Sequence, residues 1–587
     1  MSEFRFSPRP NRADEIAWMP WGARAFSRAA AEDKPILLSI SAVWCHWCHV
    51  MDETSYSDAG VIETINRRFV PVRVDNDRRP DINARYNMGG WPTTAFLAPD
   101  GTTLTGATYL PPQQMRRVLD EIAQFYSEHK SEIAERAVEL RAPRHERASI
   151  CDDLDDAPIV HLLGELTRGY DQEYGGFGDA PKFPQPEVHE FLLSEWRLSG
   201  AQSLYDMVAQ TMRGMARGGM YDHVEGGFFR YSTTRDWSVP HFEKMAEDHA
   251  GLLRVLATLV LFAPTDEFHA TLVSAVGYVR KVLRDPLTGF FAGSQDADES
   301  YYALPLEERR SREAPYVDRT SYTSWTCGLA GAICLAARAL DDDALLFEAL
   351  QTLDNVHDLL PADDGLLYHV RAPGAAPSVR GLLGDQVAYA RALLDAHEIS
   401  GESRFLARAR SICDLVIARF EAEDGGFYDR LPAEESFGRL AFPDRPIVEN
   451  GSFADVLLRL AALSNEVDYR KPAQGILRLY AGASGSSGSF AATYTRALRR
   501  YLTPELAVRI VGDAAATDAF REAALRLPSP FTTLRTLPPA AAVEFELPSE
   551  PQPAAYVCSS DACSAPVTEA GAVRAAYETL TLRPHVV

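Results

Sequence analysis

A tight glycine turn followed by an aromatic or large apolar residue recurs five times in the middle of this chain. The copies are Tyr174-Gly175-Gly176-Phe177, Glu225-Gly226-Gly227-Phe228-Phe229, Thr288-Gly289-Phe290-Phe291, Asp364-Gly365-Leu366-Leu367-Tyr368 and Asp424-Gly425-Gly426-Phe427-Tyr428. Glycine permits the turn and the following side chain plugs the core beneath it. The copies are spaced by roughly 50 to 75 residues, room for two helices and their connections, so the segment reads as stacked helical hairpins. Such hairpins close into an α/α toroid whose inner helices line a central pocket. The competing arrangement is an open α-solenoid.

Ahead of this region stands Trp44-Cys45-His46-Trp47-Cys48-His49. The apolar run Pro35-Ile36-Leu37-Leu38-Ser39-Ile40-Ser41 precedes it as a buried strand, and residues 50–68 read as a helix. A thiolate at a helix N-terminus faces unpaired N–H groups and the positive end of the dipole, which lowers its pKa. Cys45 is expected to be the exposed nucleophile and Cys48 the resolving thiol. Gly89-Gly90-Trp91-Pro92-Thr93-Thr94 leads into the strand-like Ala95-Phe96-Leu97, and residues 69–75 supply another strand. This sequence resembles the thioredoxin fold, which implies a cis Pro92 facing the CxxC turn and a redox site of Cys45, Cys48 and Pro92. Ser39 stands where efficient thioredoxins carry a buried Asp, so proton transfer to the resolving thiol needs another group.

Other readings of the cysteines compete. Cys45, Cys48 and His49 satisfy a c-type haem attachment pattern, and with Cys558 or Cys563 they satisfy a zinc set. The blandest alternative is a thioredoxin-like domain whose thiols do no chemistry. The first residues show no basic and then apolar export pattern, and no stretch reaches a membrane span, so a soluble, cytoplasmic protein is expected. In that compartment Cys151, Cys327, Cys334 and Cys413 are expected to be buried apolar side chains rather than a disulfide framework. No cofactor is implied. The net charge of −23 argues against nucleic acid or an anionic membrane as partner. Lysine occurs only at 34, 130, 182, 244, 281 and 471, so the acidic, Arg-rich composition suggests adaptation to a high-salt cytoplasm, as in haloarchaeal proteins.

The fold expected is multidomain: a thioredoxin-like α/β domain over residues 1–145, an (α/α)6 six-hairpin barrel over 150–500, and a small α/β region over 501–587. A Pro- and Arg-rich linker is read at 142–147. In the last region Cys558 and Cys563 have a spacing compatible with a second redox or metal pair.

A collinear set of motifs then identifies a family. It comprises Asp33-Lys34-Pro35-Ile36-Leu37-Leu38-Ser39, the segment from Cys45 to Met51, Arg79-Pro80-Asp81, Gly90-Trp91-Pro92-Thr93, Ala180-Pro181-Lys182-Phe183-Pro184, Val239-Pro240-His241-Phe242-Glu243-Lys244-Met245, Asp296-Ala297-Asp298 and Glu449-Asn450-Gly451. The chain resembles the spermatogenesis-associated protein 20, or YyaL-like, family. The resemblance implies a thioredoxin-like domain of unknown function joined to a barrel similar to glycosidases and N-acylglucosamine 2-epimerases. The family's N-terminal Ser-Pro-Tyr-Leu element is absent, and Asn76-Asp77-Arg78 replaces its acidic pair.

Polar and aromatic residues beside the barrel loops form a candidate pocket of Lys182, Asp222, His223, Arg230, Tyr231, Trp237, His241, Glu243, Lys244, Asp248, Asp296 and Asp298. Carboxylates and imidazoles there fit acid/base work on a sugar, with Phe229, Tyr231 and Trp237 as stacking platforms. A buried ion-pair network is the structural alternative. Lys182 and Lys244, kept in a Lys-poor chain, suggest a need for an amine. The functional reading is a CxxC thiol–disulfide site coupled to a carbohydrate-binding-type barrel, its partner a dithiol/disulfide protein or a sugar-like small molecule. The alternatives are a carbohydrate-active epimerase, isomerase or hydrolase with a structural thioredoxin-like domain, and a non-enzymatic scaffold.

Overall fold

The computed structural model describes residues 4–141, 153–431, 437–559 and 562–581. The linker read at 142–147 and Cys151 lie outside them.

Helix α1 (Ala23–Glu32) precedes strand β1 (Ile36–Ser41), whose six residues are all buried. An unbroken apolar run marks a strand covered on both faces. Here β1 is central, in the order β2-β1-β3-β4, with β2 (Val70–Asp75) parallel to it and β3 (Thr93–Leu97) antiparallel. Strand β4 (Thr103–Ala107) pairs with β3 and completes a thioredoxin-like sheet. The single helix expected at 50–68 is two, α2 (His46–Glu53) and α3 (Ala59–Arg68). The break has a local cause: the Asp58 carboxylate accepts the N–H groups of Gly60 and Val61 at 3.0 Å and caps a new helix. Helices α4 (Pro80–Tyr86) and α5 (Pro112–Arg141) complete this unit.

Six hairpins follow. Their outer helices are α6 (Ala157–Gly169), α8 (Gln202–Arg217), α10 (Asp266–Tyr278), α14 (Asp343–Leu359), α16 (Ser403–Phe420) and α18 (Arg470–Tyr480). The inner helices are α7 (Pro186–Ser199), α9 (Ala246–Phe262), α13 (Thr323–Leu340), α15 (Leu383–Ser400), α17 (Ile447–Ser464) and α19 (Ala492–Leu502). The short α11 (Glu299–Tyr302) and α12 (Leu306–Arg309) lie in the loop before α13. Each inner helix packs on the next and α19 returns to α7, so the ring is closed and the solenoid arrangement is excluded.

The glycine turns are tied to the ring by one repeated device. The fourth residue of three inner helices reaches the loop before it. His249 Nε2 accepts the Phe228 N–H at 2.9 Å, Gln386 Oε1 that of Leu367 at 3.0 Å, and Asn450 Oδ1 that of Phe427 at 2.7 Å. Each satisfies a buried backbone donor that the turn leaves open.

The two flanking units cover opposite ends of the toroid. Across the N-terminal ends of the inner helices, Arg85 makes a two-pronged ion pair with Asp429 (2.7 and 3.1 Å), and Phe26 stacks on Phe437. At the other end lies a three-stranded sheet of Leu506–Val511, Thr533–Leu537 and Ala554–Ser559, with helices α20 (Ala514–Leu525) and α21 (Val573–Thr581). There Arg197 of α7 donates to the carbonyls of Leu527 and Pro528, and the N–H of Leu534 donates to Glu398 of α15.

Candidate functional site

Cys45 is the N-cap of α2, and its sulfur accepts the N–H of Cys48 at 3.2 Å. The two cysteines form a disulfide. The same N–H is placed to stabilise a Cys45 thiolate once the bond is reduced. Ile40 pairs with Thr93 across β1 and β3, which sets Pro92 beside Ser41 at the Cys45 end of the sheet, and the Trp91–Pro92 bond is cis.

The exposed nucleophile expected at Cys45 is not found. Cys45 is 4 % exposed and Cys48 2 %, whereas the neighbouring Trp47 is 48 % exposed. The cause lies outside the thioredoxin-like unit: Met245 and Trp325, at the N-terminal ends of α9 and α13, join Trp44 and Trp91 in one apolar cluster around the sulfurs. The redox turn therefore faces the toroid's mouth.

Trp44 couples the two sides. Its indole N–H donates to Asp77 Oδ2 at 2.7 Å, and the Arg230 guanidinium from the toroid lies 4.0 Å over its ring and 5.2 Å from that of Trp91. Burial and the neighbouring Asp75 push the Asp77 carboxyl well up, and burial with Asp318 pushes Asp75 up to about 6.

Beyond Arg230 the inner helix N-termini present Glu187 (α7), Glu247 and Asp248 (α9) and Glu449 (α17). Burial pushes Glu247 up to about 7, with Glu187 and Glu449 adding repulsion against the opposing pull of Arg230. Asp248 is pushed up to about 8 by burial, again against Arg230 and with Glu247, Glu187 and Glu243 repelling. Glu247 nevertheless keeps accessible surface at the N-terminal end of α9. The fully buried Glu243 holds the Nδ1 of His241 at 2.5 Å with one oxygen, and its other oxygen has no hydrogen-bond partner. His241 stacks on Tyr231 at 4.9 Å. Burial pushes Asp296 up to about 7, Glu243 contributing. Carboxyls held near neutrality can exchange protons with a bound molecule.

Other residues expected in the pocket lie elsewhere. Lys182 and Lys244 are wholly buried cations. The Lys182 ammonium donates to Asp171 (2.7 Å) and the carbonyls of Gly175 and Arg235, and that of Lys244 to Asp222 and the carbonyl of Gly226 (both 2.8 Å). They are equivalent side chains of consecutive repeats, each pinning its glycine turn. Asp222 also pairs with Arg309. Trp237 is fully buried with its indole N–H on the Tyr174 carbonyl, and Phe229 packs against Phe242 and Tyr302, so neither offers a face to a sugar. His223 is exposed and meets the Gly218 carbonyl; Asp298 caps α11 through the N–H of Tyr301. The zinc set does not assemble, because Cys558 and Cys563 form their own disulfide at the toroid's far end. Among the described residues no three His, Cys, Asp or Glu side chains group as a metal requires, and no helix is long and apolar enough to cross a membrane.

The residues not anticipated are Glu187, Glu247 and Trp325, with Met245 and Glu449 named only as parts of family motifs and Asp77 only as part of a departure from one. Their signal is positional: all but Asp77 sit next to or within the first turn of an inner helix, where the repeat directs them to the mouth.

Residues 9–143 match the family described as "Protein of unknown function, DUF255", a thioredoxin-like domain. The chain is 36% identical to human spermatogenesis-associated protein 20 over 326 residues, 51% of this chain and 41% of that protein. It is 33% identical to uncharacterized protein B0495.5 of Caenorhabditis elegans over 306 residues, 48% of this chain and 41% of that one. These matches thus span about two-fifths of the curated relatives. Among solved structures, the chain is similar to cellobiose 2-epimerase from Spirochaeta thermophila, with a TM-score of 0.47 at 15% identity over 65% of this chain and 99% of that one. A D-mannose isomerase gives a TM-score of 0.47 at 11% identity over 59% and 96%.

Proposed function

We propose that this chain is a thiol–disulfide oxidoreductase whose Cys45–Cys48 pair acts on a low-mass substrate, and that the acidic N-terminal ends of the inner helices and the thioredoxin-like unit enclose a chamber that holds it. The observation that carries this reading is the cover over the sulfurs: with Met245 and Trp325 packed on the redox turn, a folded protein cannot bring a disulfide to Cys45, whereas a small molecule in the chamber can. The lining selects the rest of the substrate. The carboxyls of Glu187, Glu247, Asp248 and Glu449 exchange hydrogen bonds with hydroxyls, and an approaching ammonium group favours their ionised form, so a thiol or disulfide carrying such groups fits.

In the reducing direction the Cys45 thiolate attacks one sulfur of the substrate disulfide, forming a mixed disulfide and expelling the first thiolate. Asp248, whose carboxyl burial pushes up to about 8, supplies a proton to that leaving group in this scheme. Cys48, deprotonated, then attacks Cys45, releasing the second thiolate and closing the Cys45–Cys48 bond. The substrate gains two electrons and the dithiol loses two; an external thiol restores it.

Single-turnover assays test this. The reduced chain should convert cystamine in a one-to-one burst and leave insulin disulfides nearly untouched, and Cys45→Ser should abolish the burst. Insulin reduction at an equal or greater rate would overturn the reading. A second reading rests on His241 and Glu243, whose paired side chains suit proton transfer on a polyhydroxylated ligand. It is favoured if sugar turnover is found and survives Cys45→Ser.

A further inference from the structure

The chain holds a second disulfide, Cys558–Cys563, whose surroundings are the reverse of the first. Cys558 lies on the edge strand Ala554–Ser559, and Cys563, on the antiparallel segment beside it, is its directly opposed bridge partner. Cys563 is exposed and Cys558 half-buried. Neither is covered by the toroid, since this edge strand lies in the unit at the end remote from the Cys45 turn.

The antiparallel pairing does not require this bond. The Ser559 N–H donates to the Ala562 carbonyl at 2.8 Å, the Ser564 N–H to the Val557 carbonyl at 2.7 Å, and Val567 exchanges two backbone bonds with Ala555. A cross-link over so short a loop removes the least entropy from the unfolded chain. The remaining described cysteines, Cys327, Cys334 and Cys413, are fully buried, with burial pushing their thiols up, and cannot meet a macromolecule. Among the described residues, then, one cysteine pair can be met by another protein without moving a domain.

We propose that Cys558–Cys563 is a second thiol–disulfide exchange site, serving a protein dithiol reductant that the covered Cys45–Cys48 pair excludes. The reductant's thiolate attacks the exposed Cys563 sulfur, forming a mixed disulfide and expelling the Cys558 thiolate, which takes up a proton. The second thiol of the reductant, deprotonated, attacks its own bonded sulfur and releases Cys563 as a thiolate, which is protonated in turn. Two electrons pass from the reductant, which becomes a disulfide, to the Cys558–Cys563 bond, which becomes two thiols.

The test uses the oxidised full chain and a thioredoxin-type protein kept reduced by its reductase and NADPH, with timed alkylation and peptide mapping of each cysteine. Cys558 and Cys563 should become alkylatable at least roughly tenfold faster than Cys45 and Cys48, as sulfur accessibility requires. A reductant whose resolving cysteine is Ser should be trapped on Cys563 of the wild-type chain. Trapping on Cys45, equal rates at the two pairs, or a Cys558–Cys563 bond that resists the protein dithiol would each overturn the proposal. Because the labelling and trapping arms use the wild-type chain, none of these outcomes depends on a variant's folding.

Discussion

The imidazole of His369, from the toroid, donates through Nε2 to the backbone carbonyl of Asp77 at 2.8 Å, while its Nδ1 faces the Asp385 carboxylate at 2.9 Å. A carbonyl and a carboxylate are both acceptors, so the ring needs two N–H groups and is an imidazolium. Burial opposes that charge, but Asp385 outweighs it and raises the pKa. Since the Asp77 side chain holds the Trp44 indole beside Cys45, this cation braces the redox turn against the ring.

Its pH dependence has a definite sign. A histidine with a raised folded pKa contributes stability below its unfolded value of about 6.5 and loses it as pH rises through the folded value. Asp75 and Asp77, buried carboxyls pushed up, also lose stability as pH rises from about 4 upward. All three act in one direction, so the melting temperature should be higher at pH 5.5 than at pH 9. Calorimetry of His369→Gln should show a deficit at pH 5.5 that shrinks at pH 9; an equal deficit at both would show the charge is not what matters.

Asp248 gives a second pH signature. Its folded pKa of about 8 exceeds the unfolded value, so ionising it in the chamber costs stability that grows as pH rises from about 4 to 8. Asp248→Asn should raise the melting temperature at pH 8.5 and change it much less at pH 4.5. The same variant should slow the release of thiol from cystamine. Stabilisation that is equal at both pH values would show that ionisation of Asp248 is not what costs stability, and a loss of stability at pH 8.5 would place its carboxylate in a pre-formed ion pair.

The buried lysines are expected to matter for folding alone. Lys244→Met leaves Asp222 with one cationic partner, Arg309, and Lys182→Met leaves Asp171 with Arg235. Breaking a buried pair typically costs about 3–5 kcal/mol, and the surviving arginines place these at the lower end. Denaturant unfolding should show the loss, while single-turnover thiol chemistry of the still-folded variants stays at the wild-type level. A selective loss of turnover without destabilisation would restore the lysines to the chemistry.

Retention of Lys where Arg is otherwise used signals a constraint, but a small ammonium fitted under a glycine turn is as demanding as a reactive amine, and only packing tells them apart. Repeat spacing and the CxxC turn were legible because they follow from local chain geometry. The cover over Cys45 was not, since Met245 and Trp325 lie about 200 and 280 residues away and reach it only through closure of the ring. The chamber carboxylates were half legible: Asp248 stood out by composition, whereas Glu187 and Glu247 depend on the register that turns each inner helix N-terminus to the mouth.

The acidic surface carries its own test. A net charge of −23 repels itself in dilute buffer, and counterions screen that repulsion. The melting temperature should climb as KCl is raised to molar concentrations; a flat or falling trend would remove the high-salt reading of the composition.

The cover over the redox turn predicts how the thiols label. In the reduced chain Cys45, at the helix N-terminus with the Cys48 N–H on its sulfur, should be the more nucleophilic of the pair, with a pKa below the roughly 8.5 of a free thiol. Yet access limits it, because Trp44, Trp91, Met245 and Trp325 enclose the sulfur. Iodoacetamide should therefore label Cys45 before Cys48, but more slowly than its pKa alone would give. Met245→Ala opens the toroid side of the cover without touching the thioredoxin-like unit, and should speed labelling of Cys45 while leaving its pH midpoint in place. Arg230→Leu removes the cation stacked over Trp44 and should act in the same direction by loosening the seam. Unchanged labelling in both variants, or labelling of Cys48 first, would mean that the turn is reached by a route other than the mouth of the ring and that the chamber does not govern its chemistry.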